Sequence, residues 1–123
     1  MRKNFRNLLG RALRMRNYNI IVTGANGETA TAMITSLLRN GNTVIGLSSS
    51  NEHNKIKCSQ YTHIHTDILD IDILKSSLND IFTQKIQVHV LINIAGGFTI
   101  GQNIDGAISN EWDRMYKINF LSA

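Results

Sequence analysis

The residues whose types and spacing could do chemistry are small ones. Between Tyr18 and Asn40 a short β-branched run, Ile20-Ile21-Val22-Thr23, breaks into Gly24-Ala25-Asn26-Gly27-Glu28-Thr29. A helical period follows, with Ala30, Met33, Ile34, Leu37 and Leu38 along one face. Strand, glycine turn, helix is the opening of a nucleotide-binding βαβ unit. Gly24 and Gly27 let the backbone turn sharply and approach a pyrophosphate closely. The helix start then offers unpaired N–H groups and the positive end of its dipole to that anion. Thr23, Asn26 and Thr29 belong to the same candidate phosphate-facing turn. Its spacing is G-x-x-G-x-x-A, with Ala30 where a third glycine would allow tight helix–strand packing. Glu28 is discordant, because a carboxylate near a pyrophosphate repels it by about 1 kcal/mol or more in a poorly solvated site unless it turns to solvent. A glycine turn after a strand also occurs with no ligand, so the motif alone does not decide the function.

Other reactive side chains are sparse. Cys58 is the single cysteine, which excludes an internal disulfide and suits a reducing compartment. His63, His65 and His89 fall on strand patterns and His53 in a loop, without metal-ligand spacing, and all four are expected to be structural; no metal site is expected. Trp112 and Met115 are expected in the core. Asn119 falls mid-helix, where its propensity is poor.

At 123 residues the chain holds one domain at most. Its net charge of +4 is unevenly spread: six of thirteen basic residues lie in 1–17 with no acid, leaving seven against nine acids. The body is therefore mildly acidic, which argues against a nucleic-acid-binding surface. The leader places Phe5, Leu8, Leu9, Ala12 and Leu13 at helical spacing among arginines, the look of a mitochondrial targeting segment or a membrane-surface helix. Gly10 interrupts it, which favours a solvated extension over residues 1–17. No apolar run approaches the roughly 20 residues of a membrane span. The expected location is cytoplasmic, with mitochondrial targeting as the alternative.

The elements that must position the glycine turn follow in order. Gly41 stops the first helix near the left-handed capping position. Thr43–Leu47 is a second buried strand ending in Ser48-Ser49-Ser50-Asn51. A short helix is expected around Glu52–Lys57, then a third strand over Tyr61–His65. Ile71, Leu74, Leu78, Ile81 and Phe82 mark an amphipathic helix. Gln87–Ile94 reads as a fourth strand, apolar enough for the interior of a parallel sheet. A long loop leads to a helix from Ser109 or Asn110, with Asn110 the better N-cap. The order βαβαβαβα predicts an α/β, doubly wound parallel sheet of Rossmann type over 18–123, with four strands.

Four separated features together resemble the short-chain dehydrogenase/reductase family over residues 18–123. They are Thr23-Gly24-Ala25-Asn26-Gly27 after strand one, Asp67-Ile68 after strand three, Asn93-Ile94-Ala95-Gly96-Gly97 ending strand four, and the helix Glu111–Phe120. The resemblance implies that the Asp67 carboxylate and the Ile68 backbone N–H hold an adenine. It implies that Asn93, Ala95, Gly96 and Gly97 line a cofactor ribose, and that Asn119 is a structural and catalytic asparagine that orients a water in a proton relay. The spacing departs from the commonest family turn, which needs glycine at positions 28 and 30, and matches that of extended and divergent members. The family's other catalytic residues are a serine and a Tyr-x-x-x-Lys. Tyrosines stand only at 18, 61 and 116, and none has Lys four residues later. The expectation is the N-terminal, cofactor-binding half of an NAD(P)-dependent oxidoreductase reducing a carbonyl or oxidising an alcohol. Its partners would be a small-molecule substrate and, when complete, further copies of itself. The alternative is a non-catalytic nucleotide-binding or interaction module, or a decayed gene product.

The end of strand two decides between cofactors. An acid there would select NAD by accepting from the ribose 2′-OH, and none occurs before Glu52. Ser48, Ser49 and Ser50 supply hydroxyls but no cation, which leans weakly toward NADP over NAD.

Overall fold

The computed structural model describes residues 15–50, 56–97, 109–121 and 123. Four parallel strands, β1 (Asn19–Thr23), β2 (Thr43–Ser48), β3 (Tyr61–His65) and β4 (Val90–Asn93), form one sheet in the order β3-β2-β1-β4. The helices are α1 (Glu28–Arg39), α2 (Ile71–Thr83) and α3 (Ser109–Tyr116), the last continued by a π-helical turn over Lys117–Leu121. This is the α/β doubly wound arrangement that the sequence predicts.

Strand alternation sends successive side chains to opposite faces, and here both faces are covered. Ile20, Val22 and Val44 pack with Ala30, Ile34 and Leu37 of α1 on one side. Ile21, Ile45 and Leu47 pack with Ile81 of α2 on the other. Buried on both faces, β1 and β2 are continuous apolar runs, as a parallel sheet requires. Asp70 starts α2 by accepting from the N–H groups of Asp72 and Ile73, both at 3.0 Å.

The end of α1 is a Schellman turn. Gly41, at φ +83°, donates to Leu38 O, and Asn42 N–H donates to Leu37 O. Asn42, fully buried, spends its whole side chain there: Oδ1 accepts from Tyr18 N–H, while Nδ2 donates to the carbonyls of Leu37 and Met15. Met15 packs against the core beside α1, so the last residues of the basic stretch already touch the domain.

Several expectations are corrected. β4 spans four residues, not the eight of Gln87–Ile94, because a parallel strand exists only where β1 supplies a partner. Ile56 and Lys57 carry no regular structure, and residues 51–55 of the expected helix lie outside the described residues. The third helix begins at Ser109, which places Asn110 inside it rather than at the cap. Trp112, expected in the core, is 61% exposed, and Met33, Ile71 and Phe82 also face outward. Along α3 and its π-helical continuation Tyr116, Phe120 and Leu121 are exposed as well, so most of the apolar side chains there are left uncovered among the described residues.

β4 is an edge strand with Leu91 57% exposed, and apolar edges template association. The purified 1–123 chain is expected to self-associate in sedimentation-velocity runs, and Leu91→Lys to shift it toward monomer. A monodisperse monomer without the substitution would contradict this.

Candidate functional site

A cleft of about 760 Å³ opens at the C-terminal ends of the strands, between the turn after β1, the end of β2, the residues after β3 and those after β4. It lies where the strand order reverses direction, between β1 and β4, and that is where open α/β sheets bind ligands.

The floor is built by backbone proximity. Thr23 ends β1 and its hydroxyl accepts from the N–H groups of Ile94 and Ala95 at 3.2 and 3.3 Å while donating to Asn93 Oδ1 at 3.3 Å. Gly24 follows at φ +68°. A Cβ on Gly24 would stand 2.7 Å from both N and Cα of Ala95. Its glycine is therefore demanded by the neighbouring strand as well as by the turn. Gly27 differs: its φ is −71°, and a Cβ there would meet only Gly24 O at an ordinary 3.5 Å. No contact among the described residues excludes a side chain at 27, yet a glycine lines the cleft there at the start of α1, where no side chain caps the helix. A bare backbone beneath an uncapped helix N-terminus is a cradle for an anion.

Around this cradle the cleft gathers most of the candidate residues. Asn26, Glu28 and Thr29 line it from the turn and α1, Glu28 being exposed. Ser48 and Ser49 line it from the end of β2, the first buried and the second exposed. Asp67 and Ile68 form the wall after β3. Asp67 also closes its own turn, Oδ1 accepting from Leu69 N–H at 2.9 Å, so it is a turn former and a cleft residue together. Ala95 and Gly96 complete the lining from β4.

Four candidates stand behind the wall and shape it. Thr23 and Asn93 clamp β1 to β4, and the Asn93 amide also donates to the carbonyl of Ala123. Asn119, in the π-helical turn, pairs twice with Gly97: Oδ1 accepts its N–H at 2.9 Å and Nδ2 donates to its carbonyl at 2.8 Å. A Cβ on Gly96 would stand 2.7 Å from Asn119 Oδ1, so the asparagine presses on the backbone that lines the cleft. π-Helical turns recur at functional sites. In the sequence, Asn119 was marked by the poor helix propensity of asparagine and by the family resemblance of the helix that carries it.

Three residues escaped sequence reasoning. Gly46 of β2 leaves room for Tyr61, whose hydroxyl a Cβ would strike, and for Ala25, whose Cβ would be 2.7 Å away. Ala25 N–H in turn donates to Leu47 O, seating the turn on β2. His63, read as structural, reaches Ser48, its Nε2 2.8 Å from the hydroxyl. His65 Nδ1 lies 3.4 Å from Ser50 O, so a second imidazole contacts the serine segment. The signal for both histidines was strand alternation, which puts 61, 63 and 65 on one face. His89 is structural as expected: Nδ1 accepts from Asn19 N–H and its ring stacks on Tyr18. His53 lies outside the described residues. Among the described residues no cluster of His, Cys, Asp or Glu could hold a metal ion, and no helix is long and apolar enough to cross a membrane.

Fold and cleft thus define a doubly wound, nucleotide-binding type of domain. The family model described as short chain dehydrogenase matches residues 18–123, and the chain belongs to that family. No curated protein sequence matches it. Among solved structures it is similar to a short-chain dehydrogenase from Leptospira borgpetersenii with bound NAD+, at TM-score 0.80 and 19% identity over 91% of this chain and 44% of that one. It is also similar to ligand-free aldohexose dehydrogenase from Thermoplasma acidophilum, at TM-score 0.73 and 31% identity over 87% of this chain and 40% of that one. The chain therefore spans less than half the length of these relatives.

The two turn glycines are expected to separate by stability. Gly24→Ala must hold a left-handed φ, costing about 1–2 kcal/mol, and push Ala95 aside, costing about 1–3 kcal/mol more. Gly27→Ala, which meets no steric conflict and only exchanges a favourable N-cap residue for a poorer one, should cost about 1 kcal/mol or less by its urea midpoint. Equal midpoints for the two variants would show that the Gly24–Ala95 approach is not needed.

Proposed function

We propose that this chain is the cofactor-binding half of an NAD(P)-dependent oxidoreductase that interconverts a carbonyl and an alcohol. The observation that carries the proposal is Gly27: a glycine that no contact among the described residues requires, facing a cleft at an uncapped helix start. Within this reading the Gly24–Thr29 turn takes the pyrophosphate, Asp67 and Ile68 take the adenine, and Ser48 and Ser49 meet the adenosine ribose. Ala95 and Gly96 lie along the other ribose, with Gly97 held behind them by Asn119. A bound nicotinamide supplies or accepts the hydride. Membership of the family supports this assignment, as does the bound NAD+ of the Leptospira relative.

Asn119 holds the Gly96–Gly97 backbone and would place a water in the proton relay. A Tyr-x-x-x-Lys pair is absent from residues 1–123. A positioned general acid contributes about 10²–10⁴-fold. The 1–123 chain should therefore bind a nicotinamide dinucleotide and turn nothing over. Titration of NADPH fluorescence checks the first point. Gly27→Val should weaken binding about tenfold or more, because its side chain fills the cradle, while the chain still folds with a melting temperature lowered only by the poorer N-cap. Undiminished binding in the variant would remove the main support, and carbonyl reduction by the 1–123 chain, abolished in Asn119→Ala, would sink the second point.

For the cofactor we propose NADP over NAD, by a few-fold. No acid lies among Ser48, Ser49 and Ser50 to accept from a 2′-OH and repel a 2′-phosphate. Ser49→Asp should move the NADP/NAD affinity ratio toward NAD by about tenfold. An unchanged ratio in the full-length protein would show that this segment does not meet the ribose.

A further inference from the structure

The Ser48 hydroxyl is the one cleft-lining group on β2 whose hydrogen bonding a titratable side chain governs. Ser48 is 8% exposed, and its Oγ sits 2.8 Å from Nε2 of half-buried His63. A hydroxyl has one proton and two lone pairs. The direction of this single bond therefore decides what Ser48 can show a ligand. When a neutral imidazole keeps its proton on Nδ1, Nε2 accepts the Ser48 proton. Ser48 then offers the cleft lone pairs only, which suits a donor such as a ribose 2′-OH. In an imidazolium both ring nitrogens donate, and Nε2–H points at Oγ. Ser48 then turns its own proton outward, which suits the oxygens of a phosphate. Protonation also brings positive charge to a cleft that no Lys or Arg lines among the described residues.

Building on the proposed dinucleotide site, we infer that His63 is its specificity-determining residue for the 2′ position of the adenosine ribose. Neutral with its proton on Nδ1, it sets Ser48 to accept from a hydroxyl; protonated, it sets Ser48 to donate to a 2′-phosphate. Such a change falls in the range where histidine titrates. Among the described residues the other titratable groups on the neighbouring segments are few. β2 has none, β3 adds Tyr61 and His65, and the segment before β3 adds exposed Lys57 and Cys58. Asp67 after β3 and Glu28 on α1 line the cleft. His65 is the sole further imidazole bonded to the serine segment among the described residues, at the Ser50 carbonyl.

The test is calorimetric titration of the full-length protein with NADP+ and with NAD+ at about pH 8, 7 and 5.5. The 2′-phosphate itself titrates near pH 6, so each NADP+/NAD+ affinity ratio is divided by that of His63→Gln, whose amide does not titrate. The quotient should rise about fivefold from the highest pH to the lowest, a step from a neutral to a charge-assisted hydrogen bond. It should vanish in Ser48→Ala and survive in His65→Gln. A flat quotient with both dinucleotides bound overturns the inference and leaves the dinucleotide site standing. A rise that persists in Ser48→Ala, or disappears in His65→Gln, overturns it as well. Failure of both dinucleotides to bind the folded protein at any pH removes the site itself, and the inference with it; binding of one alone at every pH overturns the inference and leaves the site.

Discussion

The structure depends on how closely the ends of β1 and β4 approach each other. Thr23 binds two consecutive backbone N–H groups of the β4 exit with one hydroxyl, and Gly24 then passes Ala95 with no room for a methyl. That contact fixes where the chain leaves β1 and hence where α1 starts. It also sets the bottom of the cleft. A bulkier residue at 24 would separate the two strands and lift the turn from its seat.

From this junction the other walls follow. Ala25 donates to Leu47 O, which ties the turn to β2, and Gly46 clears the space beneath it for the Tyr61 ring. The buried amide of Asn42 secures the far end of α1, by bonds to Tyr18, Leu37 and Met15. With both ends held, the first turn of α1 stays aimed at the cleft. An uncapped helix start costs little where an anion is to occupy it, since its N–H groups and dipole favour negative charge. On the opposite side, Asn119 grips the Gly97 backbone from the π-helical turn and presses against Gly96.

Much of this architecture was legible because it is local. The α1 stripe of Ala30, Ile34 and Leu37, the stop at Gly41 and the apolar runs of β1 and β2 each follow from spacing within a dozen residues. The glycine turn and the small residues after β4 were legible for the same reason. Limits of elements were less so. β4 shrinks to Val90–Asn93 because pairing with Ile20–Thr23 defines it, and that register joins residues seventy positions apart. Trp112 carries an apolar side chain at helical spacing, yet spacing says nothing about whether another element will cover it.

Sequence alone therefore determined the parallel α/β class, the glycine turn after β1 and the family, because each is written in short-range patterns of residue type. Tertiary structure decided what those residues touch. It divided the two glycines into one demanded by Ala95 and one left facing the cleft. It gave Asn119 a backbone partner in Gly97. It also joined His63 to Ser48, fifteen residues earlier, by setting β3 beside β2 in parallel register. Such pairings arise from the lateral order of strands and their register, which depend on the packing of the whole sheet between its helices.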